Sequence, residues 1–84
     1  MVMVLRARGW RIEIFPNDHE PEDVHVFKTR GKELSAKYDL NCPNGRVSII
    51  SIGHSISAAE LRQLEAVLNA HIDLLCDEWD RLHP

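Results

Sequence analysis

Whatever this chain folds into has to bury the stretch from Ser57 to Leu82. Leu61, Leu64, Leu68, Ile72, Leu75, Trp79 and Leu82 recur there at steps of three and four, which at ~100° per residue places them on one stripe of a helix. Arg62, Gln63, Asn69, Asp73, Asp77 and Asp80 fall away from that stripe, and no glycine or proline interrupts the run. Ser57 followed by Glu60 is the pattern of a capping box, in which hydroxyl and carboxylate satisfy backbone donors of the first turn. The spacing therefore predicts one helix on the order of 37 Å long, roughly twice the length of a five- or six-residue strand. Part of it is expected to overhang any sheet it covers. A thinner apolar line, Val67 and Leu74 with His71 between them, runs along the flank of the stripe. It is either covered by a curling sheet or offered to a partner.

The remainder has the period of strands. Trp10-Arg-Ile-Glu-Ile-Phe15 alternates between two faces; Val2 and Val4 alternate in the same way, with Gly9 expected as a bend or bulge between the two pieces. Pro16 to Asp23 holds two prolines and no other apolar side chain, the mark of an exposed connection. Val24 to Lys28 is the second strand, and Thr29 to Lys32 a hairpin turn with Gly31 where a positive φ is tolerated. Leu34, Ala36, Tyr38 and Leu40 alternate with polar neighbours as the third strand. Asn44-Gly45 signals another hairpin. In the fourth strand, Arg46 to Ile52, the residues Val47, Ile49, Ile50 and Ile52 change phase midway, which indicates a bulge or burial on both faces.

Short connections make neighbours of consecutive strands. The expected fold is α+β: an antiparallel β-meander of about four strands with one long C-terminal helix packed on one face. The opposite sheet face displays Arg11, Phe15, Asp23, His25, Phe27, Lys37 and Ser48, and is the place to look for a site.

At 84 residues the chain has room for a single domain, 1–84, and one site. A hydrophobic content of 44% with 27% charged residues is that of an ordinary globular chain. The net charge of −3 arises entirely after residue 40, so no global basic field draws nucleic acid. The apolar start, Met1 to Leu5, meets Arg6 far short of a signal-peptide core or a membrane span. The chain reads as cytoplasmic with no membrane partner, and in a reducing compartment Cys42 and Cys76 are expected as free thiols.

Asp18, His19, Asp23 and His25 are the constellation that could carry chemistry. Imidazole and carboxylate together suit a divalent transition metal such as zinc or manganese, and the same groups could serve as acid and base. His19, Asp23 and His25 are accordingly the catalytic candidates, and Asp18 joins them as a metal candidate. The spacing matches no diagnostic zinc pattern. Against it stands a plainer reading, in which Asn17 and Asp18 bond the backbone of a turn and His25 lies on an exposed strand face.

Gly9 to Phe15, then Asn17-Asp-His-Glu-Pro21 and Val24-His-Val26, then His71, Leu75 and Trp79, stand in an order similar to the motifs of the bacterial domain of unknown function 4160 family. That family has a strand of the type Gly-x-x-Ile-x-Ile/Met-Phe, then Asn/Asp-His-x-Pro-Pro-His-Phe-His-Val, and a last helix with His-x-x-x-Leu/Ile and a later Trp. The chain resembles it over nearly its whole length. It departs where the family has Pro-His, for which Glu22-Asp23 stands here: the middle histidine is missing, so if the family's histidines form a metal or catalytic cluster Asp23 is the substitute ligand, and catalysis that needs an imidazole there is put in doubt. The resemblance implies a small cytoplasmic protein acting with a cognate small protein, as in toxin–antitoxin pairs.

Two functions follow. One is a protein-interaction module, binding that partner or a second copy as a homodimer through Val67, His71 and Leu74, or through Phe15 and Phe27. The other is a small metal-assisted hydrolase, RNase-like, using His19, Asp23 and His25. The charge balance helps an RNA enzyme little, so the interaction module is favoured.

Overall fold

The computed structural model describes residues 2–17, 22–43, 45–53 and 56–84. Its elements are β1 (Val2–Ala7), β2 (Trp10–Ile14), β3 (Asp23–Lys28), β4 (Leu34–Asp39), β5 (Ser48–Ile52), α1 (Ala58–Ala70) and α2 (Ile72–Leu82). The strands form one antiparallel sheet in the order β1-β2-β3-β4-β5. The meander is thus present, with five strands in place of four. Arg8 and Gly9, at φ 51 and φ 84, make a two-residue hairpin turn where a bend within one strand was expected. Positive φ at both central positions matches the twist of the flanking strands. The expected left-handed glycine, Gly31, is not left-handed; its N–H donates to the Lys28 carbonyl at 2.8 Å. In the β4–β5 connection Asn41 takes that conformation, at φ 53.

The single long helix is two. α1 begins at the capping box, with Glu60 N–H donating to Ser57 Oγ at 3.1 Å and Ser57 N–H to Glu60 Oε1 at 3.0 Å. This bonding holds the Glu60 carboxyl below its ordinary pKa, chiefly through the Ser57 backbone donor. At His71 the regular ladder fails. The imidazole Nδ1–H donates to the Val67 carbonyl at 2.9 Å, the acceptor that the His71 backbone N–H would use in an unbroken helix. That N–H turns to Leu68 instead, at 3.1 Å. Asn69 next door accepts the Val47 N–H at 2.9 Å, which ties the end of α1 to the approach to β5. A side chain inserted into the main-chain ladder is a sufficient cause of a kink. Beyond the break the i→i−4 pattern resumes with Leu75 N–H donating to the His71 carbonyl at 3.0 Å, and α2 buries Leu75, Cys76 and Trp79.

The core lies between the helices and one sheet face. Trp10, Ile12, Ile14, Val24, Val26, Ala36 and Tyr38 meet Leu64, Val67, Leu68, Leu75 and Trp79. The cysteines are not free thiols. Cys42, in the β4–β5 connection, is bonded to Cys76 of α2 across a Cα–Cα distance of 5.8 Å, within the range a bridge requires. Disulfides persist in oxidising surroundings, so the thiol state lends the cytoplasmic expectation no support. No helix among the described residues is long and apolar enough to cross a membrane.

Candidate functional site

On the face away from the helices, the strand register lines up Met3, Glu13, His25, Lys37 and Ser51 in one row from β1 to β5. Asp23, Asp39 and Ser48 form a second row, and Arg11 and Phe27 lie opposite each other in a third. The residues expected on this face are there. Glu13 was passed over, although its alternation with Arg11 on β2 already placed it on this face. It is only 3% exposed. Its Oε2 accepts the Arg11 Nε–H, while Oε1 finds no hydrogen-bond partner among the described residues, an arrangement that costs free energy.

The other donors of Arg11 are spent on the β3–β4 turn, reaching the carbonyls of Lys28 (3.2 Å), Thr29 (2.9 Å) and Gly31 (3.0 Å). Its guanidinium lies 4.9 Å from the centroid of the Phe27 ring, a cation–π contact, and Phe27 is buried. Phe15 stacks on His25 with ring centroids 4.0 Å apart and planes within 1°. Lys37 Nζ stands 3.4 Å from Asp23 Oδ2. Asp18 and His19 lie outside the described residues. Among the described residues no three His, Cys, Asp or Glu side chains are gathered to hold a metal.

Of the helix-flank candidates, Val67 is a core residue, His71 is half-buried with its ring engaged, and Leu74 is exposed. Arg8, Gln63, Ala66, Val67, Ala70 and His71 line a shallow cleft there.

Among the described residues, exposed large apolar side chains concentrate on β5. All five of its residues are exposed, with Ile49 at 43%, Ile50 at 47% and Ile52 at 57%. Ile52 pairs with Ala36 and Ile49 with Tyr38, both buried under the helices. Ile49 and Ile52 therefore point to the helix side, Ser48 and Ser51 to the other, and Ile50 is the extra residue of a bulge. This is the change of phase visible in the sequence. The helices cover the middle of the sheet and stop short of its edge. Among the described residues β5 pairs only with β4, and no strand lies along its outer edge. An uncharged, proline-free apolar edge is a template for pairing.

The sequence profile of a family described as a domain of unknown function (DUF4160) matches residues 9–80. The chain belongs to that family. The DUF4160 match runs from the β1–β2 turn to the last turn of α2, so it takes in the polar face, the β5 edge and both helices. Neither the curated proteins nor the solved structures offer a match.

Along the strands this DUF4160 chain is electrically polar. Arg8, Lys28, Arg30 and Lys32 outnumber the acids Glu33 and Glu60 at the end where the β1–β2 and β3–β4 turns meet, joined by the Thr29 N–H to the Gly9 carbonyl at 2.9 Å. Glu22, Asp73, Asp77 and Asp80 surround the Cys42–Cys76 bridge at the other end.

Proposed function

We propose that this DUF4160 chain is a protein-interaction module that docks an extended partner segment along the free edge of β5. The observation that carries this reading is an edge strand exposed along its whole length with three exposed isoleucines. Strand addition draws affinity from main-chain hydrogen bonds and selectivity from side chains on alternate faces. The polar face competes poorly as a docking surface, because Arg11, Phe15, Phe27 and Lys37 are already engaged with neighbours. The cognate small protein of a toxin–antitoxin-like pair is one occupant that the edge would suit.

An NMR titration with an extended peptide of alternating valine and threonine tests the module. Amide shifts confined to residues 48–52 are expected, lost in Ile52→Lys and retained in His25→Ala with chelator present. Shifts that bypass β5 and vanish in His25→Ala would favour a second reading, a small RNase-like hydrolase. One observation supports that alternative: buried Glu13 stands opposite His25 in the strand register, which puts a carboxylate and an imidazole, residue types suited to acid–base work, at neighbouring positions of one face. Asp18, His19 and Asp23 would then be the residues to test for zinc or manganese.

A further inference from the structure

We propose that the occupant of the β5 edge is a second copy of this chain, paired antiparallel about a two-fold axis with Ile49 of each copy opposite Ile52 of the other. This rests on the strand-addition reading and narrows it to one partner. The bulge decides the choice. Between the positions opposite Tyr38 and Lys37, β5 carries one residue more than β4. A regular strand laid along its outer edge can dock, but keeps its register on only one side of that point. A strand with the same extra residue keeps it on both, and a second copy supplies that strand. With Ile49 opposite Ile52, Ile50 of one copy faces Ser51 of the other, and the two bulged steps lie against each other.

The side chains agree with this register. A two-fold axis perpendicular to the sheet keeps both helical layers on the same side. Ile49 and Ile52 from each copy then gather in the space between those layers, covering side chains that are 43% and 57% exposed in one copy alone. No ionisable side chain lies between Val47 and Gly53, so the pairing sets no like charges opposite each other. The antiparallel arrangement also brings the basic end of one copy alongside the acidic end of its mate.

A two-fold contact closes on itself, whereas β5 against the β1 edge would repeat without end and would bring in the exposed Arg6. The patch is small. Three half-exposed isoleucines per copy fall short of the ~800 Å² that a standard interface buries on each partner. The dimer is therefore a weak one, forming at concentrations on the order of tens of micromolar.

Sedimentation velocity on the full chain, from roughly 5 µM to roughly 500 µM, compares wild type with Ile52→Lys and with Leu74→Lys, another exposed apolar site on α2. Circular dichroism confirms that each variant is folded. The wild-type mass is expected to rise from 9.6 kDa toward twice that value, Leu74→Lys to follow it, and Ile52→Lys to stay monomeric. A dimer that survives Ile52→Lys unchanged overturns the proposal, and so does a wild type that is monomeric throughout. If the β5 amides of that monomer still shift with the extended peptide, strand addition stands without the second copy; if they do not, both fall.

Discussion

Removing the Cys42–Cys76 bridge is the most demanding test of how this small domain is held together. The bridge joins positions 34 residues apart and so encloses β5, α1 and the break at His71. In the chain-entropy account, a cross-link removes about 2.1 + 1.5R ln n cal/mol/K from the unfolded chain. For 34 residues that is roughly 12.6 cal/mol/K, or about 3.8 kcal/mol at 25 °C. A domain of this size has a total stability on the order of 5–10 kcal/mol, so the bridge would account for a large share. The folded state should survive its loss. β5 keeps its pairing with β4 and the Gly53 N–H to Ser35 carbonyl bond at 2.8 Å, and α1 keeps the Asn69 contact to Val47. The assay is equilibrium urea unfolding of oxidised wild type, wild type with excess dithiol, and Cys42→Ala/Cys76→Ala. The last two should lose a similar amount, and the double variant should not respond to dithiol. A loss below ~1 kcal/mol in both would refute the reasoning, because the unfolded chain would then gain none of the freedom the loop length implies.

The phenol of Tyr38 donates to Glu65 Oε2 at 2.9 Å, and its pKa is raised by burial first and then by the Glu65 carboxylate. A raised folded pKa means that this contribution is fully present below the ordinary tyrosine value near 10 and is lost as pH climbs through the higher folded value. Urea midpoints should therefore fall in the alkaline range in wild type and fall less in Tyr38→Phe, which gives up ~1–2 kcal/mol at neutral pH; parallel pH profiles would contradict this. Glycine scanning separates space from backbone conformation. A Cβ at Gly53 would overlap the Leu34 carbonyl, so Gly53→Ala should cost ~2–4 kcal/mol through a forced shift and a lost β4 hydrogen bond. Gly9 has open space but a φ of +84°, and Gly9→Ala should cost only about 1 kcal/mol; thermal unfolding that ranks the pair the other way would sink the distinction.

The elements that could be read from the sequence are those set by local chemistry. The Ser57–Glu60 capping box and the apolar stripe from Leu61 to Leu82 needed only neighbours within a few turns, and both are in place. The β5 bulge announced itself because three isoleucines and a valine cannot share one face at those spacings. What stayed hidden depends on distant partners or on unusual backbone. Histidine at position 71 carries no helix-breaking propensity of note; it acts through a hydrogen bond to its own i−4 carbonyl, which periodicity does not report. Arg8 gives no turn signal, since arginine seldom takes the left-handed conformation it adopts here. The two cysteines are 34 residues apart in sequence and become partners only when α2 packs beside the β4–β5 connection. In the candidate site, Glu13 was legible as a strand residue facing away from the helix. Its burial was not, because that follows from Arg11 being drawn across the face to the β3–β4 turn.

The bare edge of β5 follows from the widths of the parts. Neighbouring strands lie ~4.8 Å apart, so five strands measure roughly 19 Å between the outer axes. One helix with its side chains is ~10–12 Å across. A straight helix would thus shelter little more than half of the sheet and extend past its end. The helix is interrupted at His71, and α1 and α2 each bury part of the same apolar stripe, Leu64 and Leu68 from the first and Leu75 and Trp79 from the second. The cover remains short by about one strand, and β5 is where the shortfall lies: its helix-side residues Ile49 and Ile52 stay exposed although the β4 residues opposite them are buried. A chain under no pressure to cover that edge could have placed lysine or threonine at those two positions at no cost to the core. Isoleucine at both positions leaves apolar surface on the helix side that the proposed pairing through β5 would cover.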